Sequence, residues 1–167
     1  MNYKPQQRAV PSTILTRGGW LRGTLHVPEK NRLAETLGRG EFQRVTEVAM
    51  PGRFEHLEFL AVHRDAMFLV VPETNEDDDP PRNPHEQREW HRVGFLLEGG
   101  VVEGSLATLK DVRVSDFFAN RTDFVVIHDV TLRFTSGEAG HVERKAPRAV
   151  INSSSVIGVA DLGKTGG

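Results

Sequence analysis

Arg17-Gly18-Gly19-Trp20-Leu21-Arg22-Gly23-Thr24-Leu25 is echoed by Glu98-Gly99-Gly100-Val101-Val102-Glu103-Gly104-Ser105-Leu106, a shift of 81 positions (Gly18 to Gly99, Gly23 to Gly104). An internal repeat constrains the architecture before any propensity argument begins. The echo continues with residues 32–37 against 113–118 at the same shift. One residue is then inserted, and 42–50 matches 124–132 at a shift of 82. Ala61-Val62-His63 with Val150-Ile151-Asn152, and 67–70 with 156–159, extend the series more loosely. A colinear series with one insertion and matching apolar spacing points to duplication. It predicts two β-rich repeats, 12–72 and 92–161, separated by an acidic, proline-rich linker over 73–91.

Repeats of this size are marginal alone, because small domains bury little of their surface, so the pair is expected to fold as one cooperative unit. Charged residues make up 26% and apolar residues 38%, with both signs mixed, which is a globular composition and not a disordered one. A net charge of −2 argues against nucleic acid as the main partner, since phosphate neutralisation brings a basic excess. The chain has no cysteine, which removes disulfides, thiolate chemistry and Cys-ligated zinc. The N-terminal residues hold no apolar core of signal-peptide length, and no stretch approaches the roughly 20 apolar residues of a membrane helix. The expected setting is cytoplasmic and soluble, away from membranes. Gly163-Lys164-Thr165 lacks the upstream glycine of a phosphate loop and reads as a frayed tail.

Within each repeat, residues 1–11 read as a lead-in and 12–16 as a first strand. Gly18-Gly19 reads as a two-residue hairpin turn, where positive φ suits glycine. Alternation along 20–27 puts Leu21, Gly23, Leu25 and Val27 on an inner face and Trp20, Arg22, Thr24 and His26 on an outer one. Val102, Gly104 and Leu106 repeat the inner set. Glycine inside a strand marks a bulge, a bend or a close backbone approach, so Gly23 and Gly104 predict tight curling. Short helices follow at 32–37 and 114–119, with Asn31 and Ser115 as expected caps and Gly38 and Asn120 as left-handed terminators. A third strand spans 42–50 and 124–134. Its alternation places Phe124, Val126, His128, Val130, Leu132 and Phe134 on one face, with Phe42, Arg44, Thr46, Val48 and Met50 as counterparts. Closing hairpins are expected at 57–63 with 66–71 and at 149–152 with 155–159, turning at Arg64-Asp65 and Ser153-Ser154. A polar loop is expected over 135–141.

No catalytic signature stands out. Glu76-Asp77-Asp78-Asp79 lacks the alternating ligands and turn glycine of a calcium loop and reads as solvated linker. The seven histidines include no His-x-x-x-His pair. His26 and His63 converge only if the strands curl. His128-Asp129 are neighbours in a strand and so face opposite sides, which leaves His128 as a core histidine with a satisfied hydrogen bond. Ser153-Ser154-Ser155 has no nucleophile elbow around it and reads as a polar turn. Glu35 and Asp116 read as early-helix carboxylates that favour the helix dipole. No enzyme activity, cofactor or metal is expected.

The Gly-Gly-x-x-x-Gly-x-Leu pattern, a following strand, and Ile151-Asn152-Ser153-Ser154-Ser155-Val156-Ile157 near the end resemble the Sm-like small β-barrel family. The chain is also similar to a class of bacterial proteins that carry this module. The resemblance covers about half of each repeat and implies a curled sheet with a short closing segment. Two features depart from the RNA-binding members: a helix fills the loop after the second strand, and Asn152-Ser153 and His63-Arg64 stand where an arginine-glycine would be.

The expected fold is therefore mainly β with short helices, a pseudo-symmetric tandem of two small curled sheets or barrels. The expected function is a non-enzymatic interaction or assembly module whose partner is another protein or a second copy of itself. Curled sheets leave edges that must be paired, covered or charged. Interface candidates are the outward Trp20 and the apolar Phe117-Phe118 pair, with Arg22 and Glu103, equivalent positions of opposite charge that would face each other across a pseudo-two-fold. The alternatives are an RNA-binding Sm-like protein, and a small-molecule or nucleotide sensor with its pocket between the repeats.

Overall fold

The computed structural model describes residues 6–76, 85–136 and 140–164. The chain divides into two compact units, Met1–Asp78 and Asp79–Gly167. The first contains β1 (Gln7–Thr16), β2 (Gly19–Pro28), α1 (Leu33–Leu37), β3 (Phe42–Met50), β4 (Phe54–His63) and β5 (Met67–Pro72). The second contains β6 (Arg88–Leu97), β7 (Gly100–Leu109), α2 (Val114–Phe118), β8 (Phe124–Ser136), β9 (Gly140–Asn152) and β10 (Gly158–Lys164). Strands neighbour one another in the order β5-β1-β2-β3-β4 in the first unit and β10-β6-β7-β8-β9 in the second, all antiparallel.

β2 and β7 show the expected alternation. Leu21, Gly23, Leu25 and Val27 are buried, as are Val102, Gly104 and Leu106, while the intervening residues are half-buried or exposed. The hairpin turn is one residue earlier than expected: Thr16 pairs with Gly19, leaving Arg17-Gly18 as the loop, and Gly19 takes the positive φ of 117°. The strand before it is longer than expected. β1 starts at Gln7, where the Arg8 guanidinium ties the segment down by donating to the carbonyls of Pro28 and Asn31 at 3.0 and 2.8 Å.

The expected face of the third strand is wrong for half its length. Val45 and Ile127 are buried, whereas Thr46, Val126 and His128 are half-buried and Phe42 and Arg44 are exposed. Downstream, Val48, Met50, Val130, Leu132 and Phe134 are buried as expected. A bulge separates the halves. Arg22 pairs with Ala49 and Thr24 with Thr46, so Glu47 and Val48 together oppose the single Gly23. In the second unit Asp129 and Val130 together oppose Gly104. The extra residue shifts the period-two phase, which a strict alternation cannot accommodate.

The glycines permit the close approach. A Cβ on Gly23 would press on Val45 Cγ1 and lie 3.2 Å from the Thr46 carbonyl oxygen; one on Gly104 would press on Ile127 Cγ2 and lie 3.0 Å from the His128 carbonyl oxygen.

The helices are single turns, too short to persist without packing. Leu33 and Leu37 are fully buried and Val114 is 2% exposed; each such side chain contributes ~1.5–3 kcal/mol by leaving water. Neither helix has the expected cap: Arg32 and Arg113 occupy the N-cap positions, and neither side chain makes a capping hydrogen bond. Gly38 is right-handed at φ −76°, and the left-handed residues are Gly40 and Asn120. Buried Gln43 satisfies the free carbonyls of α1, donating to Thr36, Leu37 and Arg39 at 3.1, 3.4 and 2.8 Å.

The closing hairpins do not form. β5 pairs with β1 and β10 with β6, not with the strand that precedes them. A 3-10 turn redirects the chain at Arg64–Ala66 and at Ser153–Ser155. Its first amide is held by the residue before it: the Asp65 amide donates to His63 Nδ1 at 3.2 Å, and the Ser154 amide to Asn152 Oδ1 at 3.0 Å. The expected loop over 135–141 is largely strand, since β8 runs to Ser136 and β9 starts at Gly140; 137–139 lie outside the described residues. Of the acidic run, Asp77, Asp78 and Asp79 lie outside the described residues, but Glu76 is buried and paired with Arg8 at 3.1 Å, so it is not solvated linker. No helix among the described residues is long and apolar enough to cross a membrane.

Candidate functional site

Among the described residues of the first unit β4 pairs only with β3, and in the second unit β10 pairs only with β6. Both carry exposed apolar side chains. Along β4, Phe54 is 43% and Phe59 52% exposed, and neighbouring Phe42 on β3 is 57% exposed. Arg44 lies over the Phe59 ring at 5.6 Å from its centroid, and Phe42 meets His63 edge to face at 5.0 Å. On β10, Leu162 is 51% exposed, with Ile157 at 66% just before it.

The outer face of the second unit carries a different chemistry. Register aligns Arg92 with Ser105, Ser105 with His128, and His128 with Arg148 across four strands. The same row in the first unit is Pro11, Thr24, Thr46 and Phe59. Trp90 packs against His128 with ring centroids 5.4 Å apart and planes at 75°. Arg92 reaches across β7 to donate from Nη1 to the Asp129 carbonyl at 2.9 Å. Arg148 Nη1 is buried without a hydrogen-bond partner among the described residues. His128 is thus half-buried on an outer face, not the core histidine expected from alternation.

Of the sequence-derived candidates, Trp20 is half-buried. The Arg22 guanidinium meets Glu73 at 2.9 Å, and the Glu103 carboxylate meets Arg133 at 3.0 Å, so each pairs within its own unit. Glu103 holds the Arg133 guanidinium above its ordinary value by hydrogen bonding. Phe117 and Phe118 are half-buried and form an edge-to-face chain with Phe95: Phe118 lies 5.2 Å from Phe95 and 5.0 Å from Phe117. Arg121 covers the Phe117 ring at 4.0 Å and bonds Asp123 at 3.2 Å. Phe117, Arg121 and Asp123 line an open cavity of about 660 Å³ together with Leu109 and Val112.

Among the histidines, His26 bonds Thr46 at 2.7 Å and does not approach a metal-ligand set. His91 is 4% exposed, with Asp161 3.5 Å from Nδ1 and Glu89 3.9 Å from Nε2. These carboxylates flank opposite ring nitrogens, which rules out chelation of one ion by all three. Burial alone would raise the Glu89 carboxyl; the Lys164 ammonium and the Asp111 amide reverse this and hold it below its ordinary value. Among the described residues no group of three or more His, Asp or Glu is gathered for a metal.

The arginine row escaped sequence reasoning because it exists only once four strands are in register. Its one sequence signal was the comparison of the two units, where Thr46 stands against His128 and Phe59 against Arg148. No family model, no curated protein and no solved structure matches this chain.

Proposed function

We propose that this chain is a non-enzymatic assembly module, built from two repeats of one Sm-like strand plan, that self-associates through its strand edges. The repeat reading is supported by equivalence of register. Leu15 pairs with Leu69 as Leu96 does with Gly158, and Phe42 pairs with His63 as Phe124 does with Asn152. The observation that carries the assembly reading is β4, a ten-residue strand paired on one side and bearing exposed Phe54 and Phe59. An exposed apolar edge is a template for another strand, and native proteins blunt such edges unless they use them. β10 offers the complementary partner: a second unpaired edge with exposed Leu162. A contact between unlike edges is heterologous, so it closes into rings or runs on as filaments. The setting we assign to it is the cytoplasm.

Light scattering and sedimentation velocity across a concentration series test this reading. The chain is expected to be larger than one copy. Phe59→Lys and Leu162→Lys should each reduce it to a single copy with unchanged circular dichroism. Mixing the two variants leaves one intact edge on each, and should give a dimer that grows no further. A strict monomer at every concentration overturns the proposal.

A further inference from the structure

We infer that the outer face of the second unit, centred on His128, binds a nucleoside monophosphate. Four side chains converge there from three strands. Trp90 comes from β6, with its ring 5.4 Å from that of His128. Arg92, also from β6, extends over β7 until its guanidinium bonds the carbonyl of Asp129, the residue next to His128. Arg148 comes from β9 and is the direct register partner of His128. The span from β6 to β9 is three inter-strand steps, about 14 Å, which two arginine side chains reaching inward can close onto one anion.

The charges there are unmatched. Neither Arg92 nor Arg148 pairs with a carboxylate among the described residues, and Arg148 Nη1 is buried with no hydrogen-bond partner. Glu103, an outer-face carboxylate two residues from Ser105 on β7, is already held by Arg133 at 3.0 Å. Two like charges with a donor left unsatisfied favour an incoming anion, and the guanidinium fork matches phosphate bidentately. A half-buried indole beside those forks supplies the surface on which a planar base stacks. Phosphate at the arginines and base on Trp90 together describe a nucleotide. The first unit has Ala9, Pro11, Thr46 and Phe59 at the matching positions, so the site belongs to one repeat only.

The full chain carrying Trp20→Phe isolates Trp90 fluorescence, and AMP, adenosine and inorganic phosphate are titrated in turn. AMP is expected to quench saturably and to bind at least tenfold tighter than either fragment. Arg148→Gln and Arg92→Gln should each weaken AMP at least tenfold without changing circular dichroism. If Arg148→Gln fails to fold, Arg148→Lys keeps the charge, loses the fork and should still weaken AMP. Absence of saturable AMP binding, or unchanged affinity in the arginine variants, overturns the site. Equal affinity for inorganic phosphate overturns the nucleotide assignment. Neither Trp90 nor either arginine lies on β4 or β10, so this outcome is independent of self-association.

Discussion

Glu47 of β3 and Asp129 of β8 adopt the same left-handed backbone, at φ 52° and 49°, each across the sheet from a glycine that its bulge presses upon. Both side chains are exposed, so the residues are constrained by backbone and not by packing. Positive φ is tolerated by asparagine and aspartate and is a true outlier for a β-branched residue. Asp129→Val should therefore destabilise by about 1–2 kcal/mol, and Asp129→Asn by less than about 0.5 kcal/mol. Urea denaturation of the two variants separates these outcomes; equal midpoints would contradict the strain argument.

A methyl group has no room on Gly104. Gly104→Ala should cost about 1–3 kcal/mol by overpacking against Ile127 and the His128 carbonyl. Adding Ile127→Ala should recover only part of this, because the backbone oxygen stays in place at 3.0 Å from the new Cβ. Additive losses in the double variant would show that the contact is not the cause.

The Arg8–Glu76 pair joins the start of β1 to the segment after β5. Glu76 is buried and also accepts from Thr74 at 3.1 Å, while Arg8 donates to three carbonyls besides. Glu76→Ala strands a partly buried guanidinium and should cost about 1–3 kcal/mol. A double-mutant cycle with Arg8→Ala should show coupling, and zero coupling would return Glu76 to the status of a surface residue.

Arg32, hydrogen-bonded to Glu35 at 2.8 Å, holds that carboxyl below its ordinary value. A depressed carboxyl stabilises the fold above its unfolded value and loses that contribution as pH falls through the folded one. Thermal melts from neutral pH down through about pH 3 should show a shallower acid-side decline in Glu35→Gln than in the parent. Parallel profiles would mean that this half-buried pair does not contribute.

The faces of β2 and β7 were legible because their alternation is unbroken. Those of β3 and β8 were not, because one extra residue at Glu47 and Asp129 inverts the phase, and nothing in Val125-Val126-Ile127 says which valine is inside. The partners of β5 and β10 were illegible for another reason. Met67 to Pro72 reads the same whether it pairs with the strand before it or with β1 far upstream. Burial of Glu76 depends on an arginine near the other end of the unit. Trp90, Arg92, His128 and Arg148 are scattered in sequence, and only register makes them neighbours. Of the interface candidates Arg22 is exposed, whereas Trp20, Glu103, Phe117 and Phe118 are half-buried.

The bulge has an arithmetic of its own. Against β7, Asp129 is one residue too many, but against β9 the count is even: His128 meets Arg148, Val130 meets Ala146, and Pro147 stands opposite Asp129. Deleting Asp129 alone would therefore mend one seam and tear the other. Deleting Asp129 and Pro147 together would keep every inward side chain inward while removing the crook from the sheet. Curvature and sidedness are thus written in separate places in this chain, and one can be edited without rewriting the other.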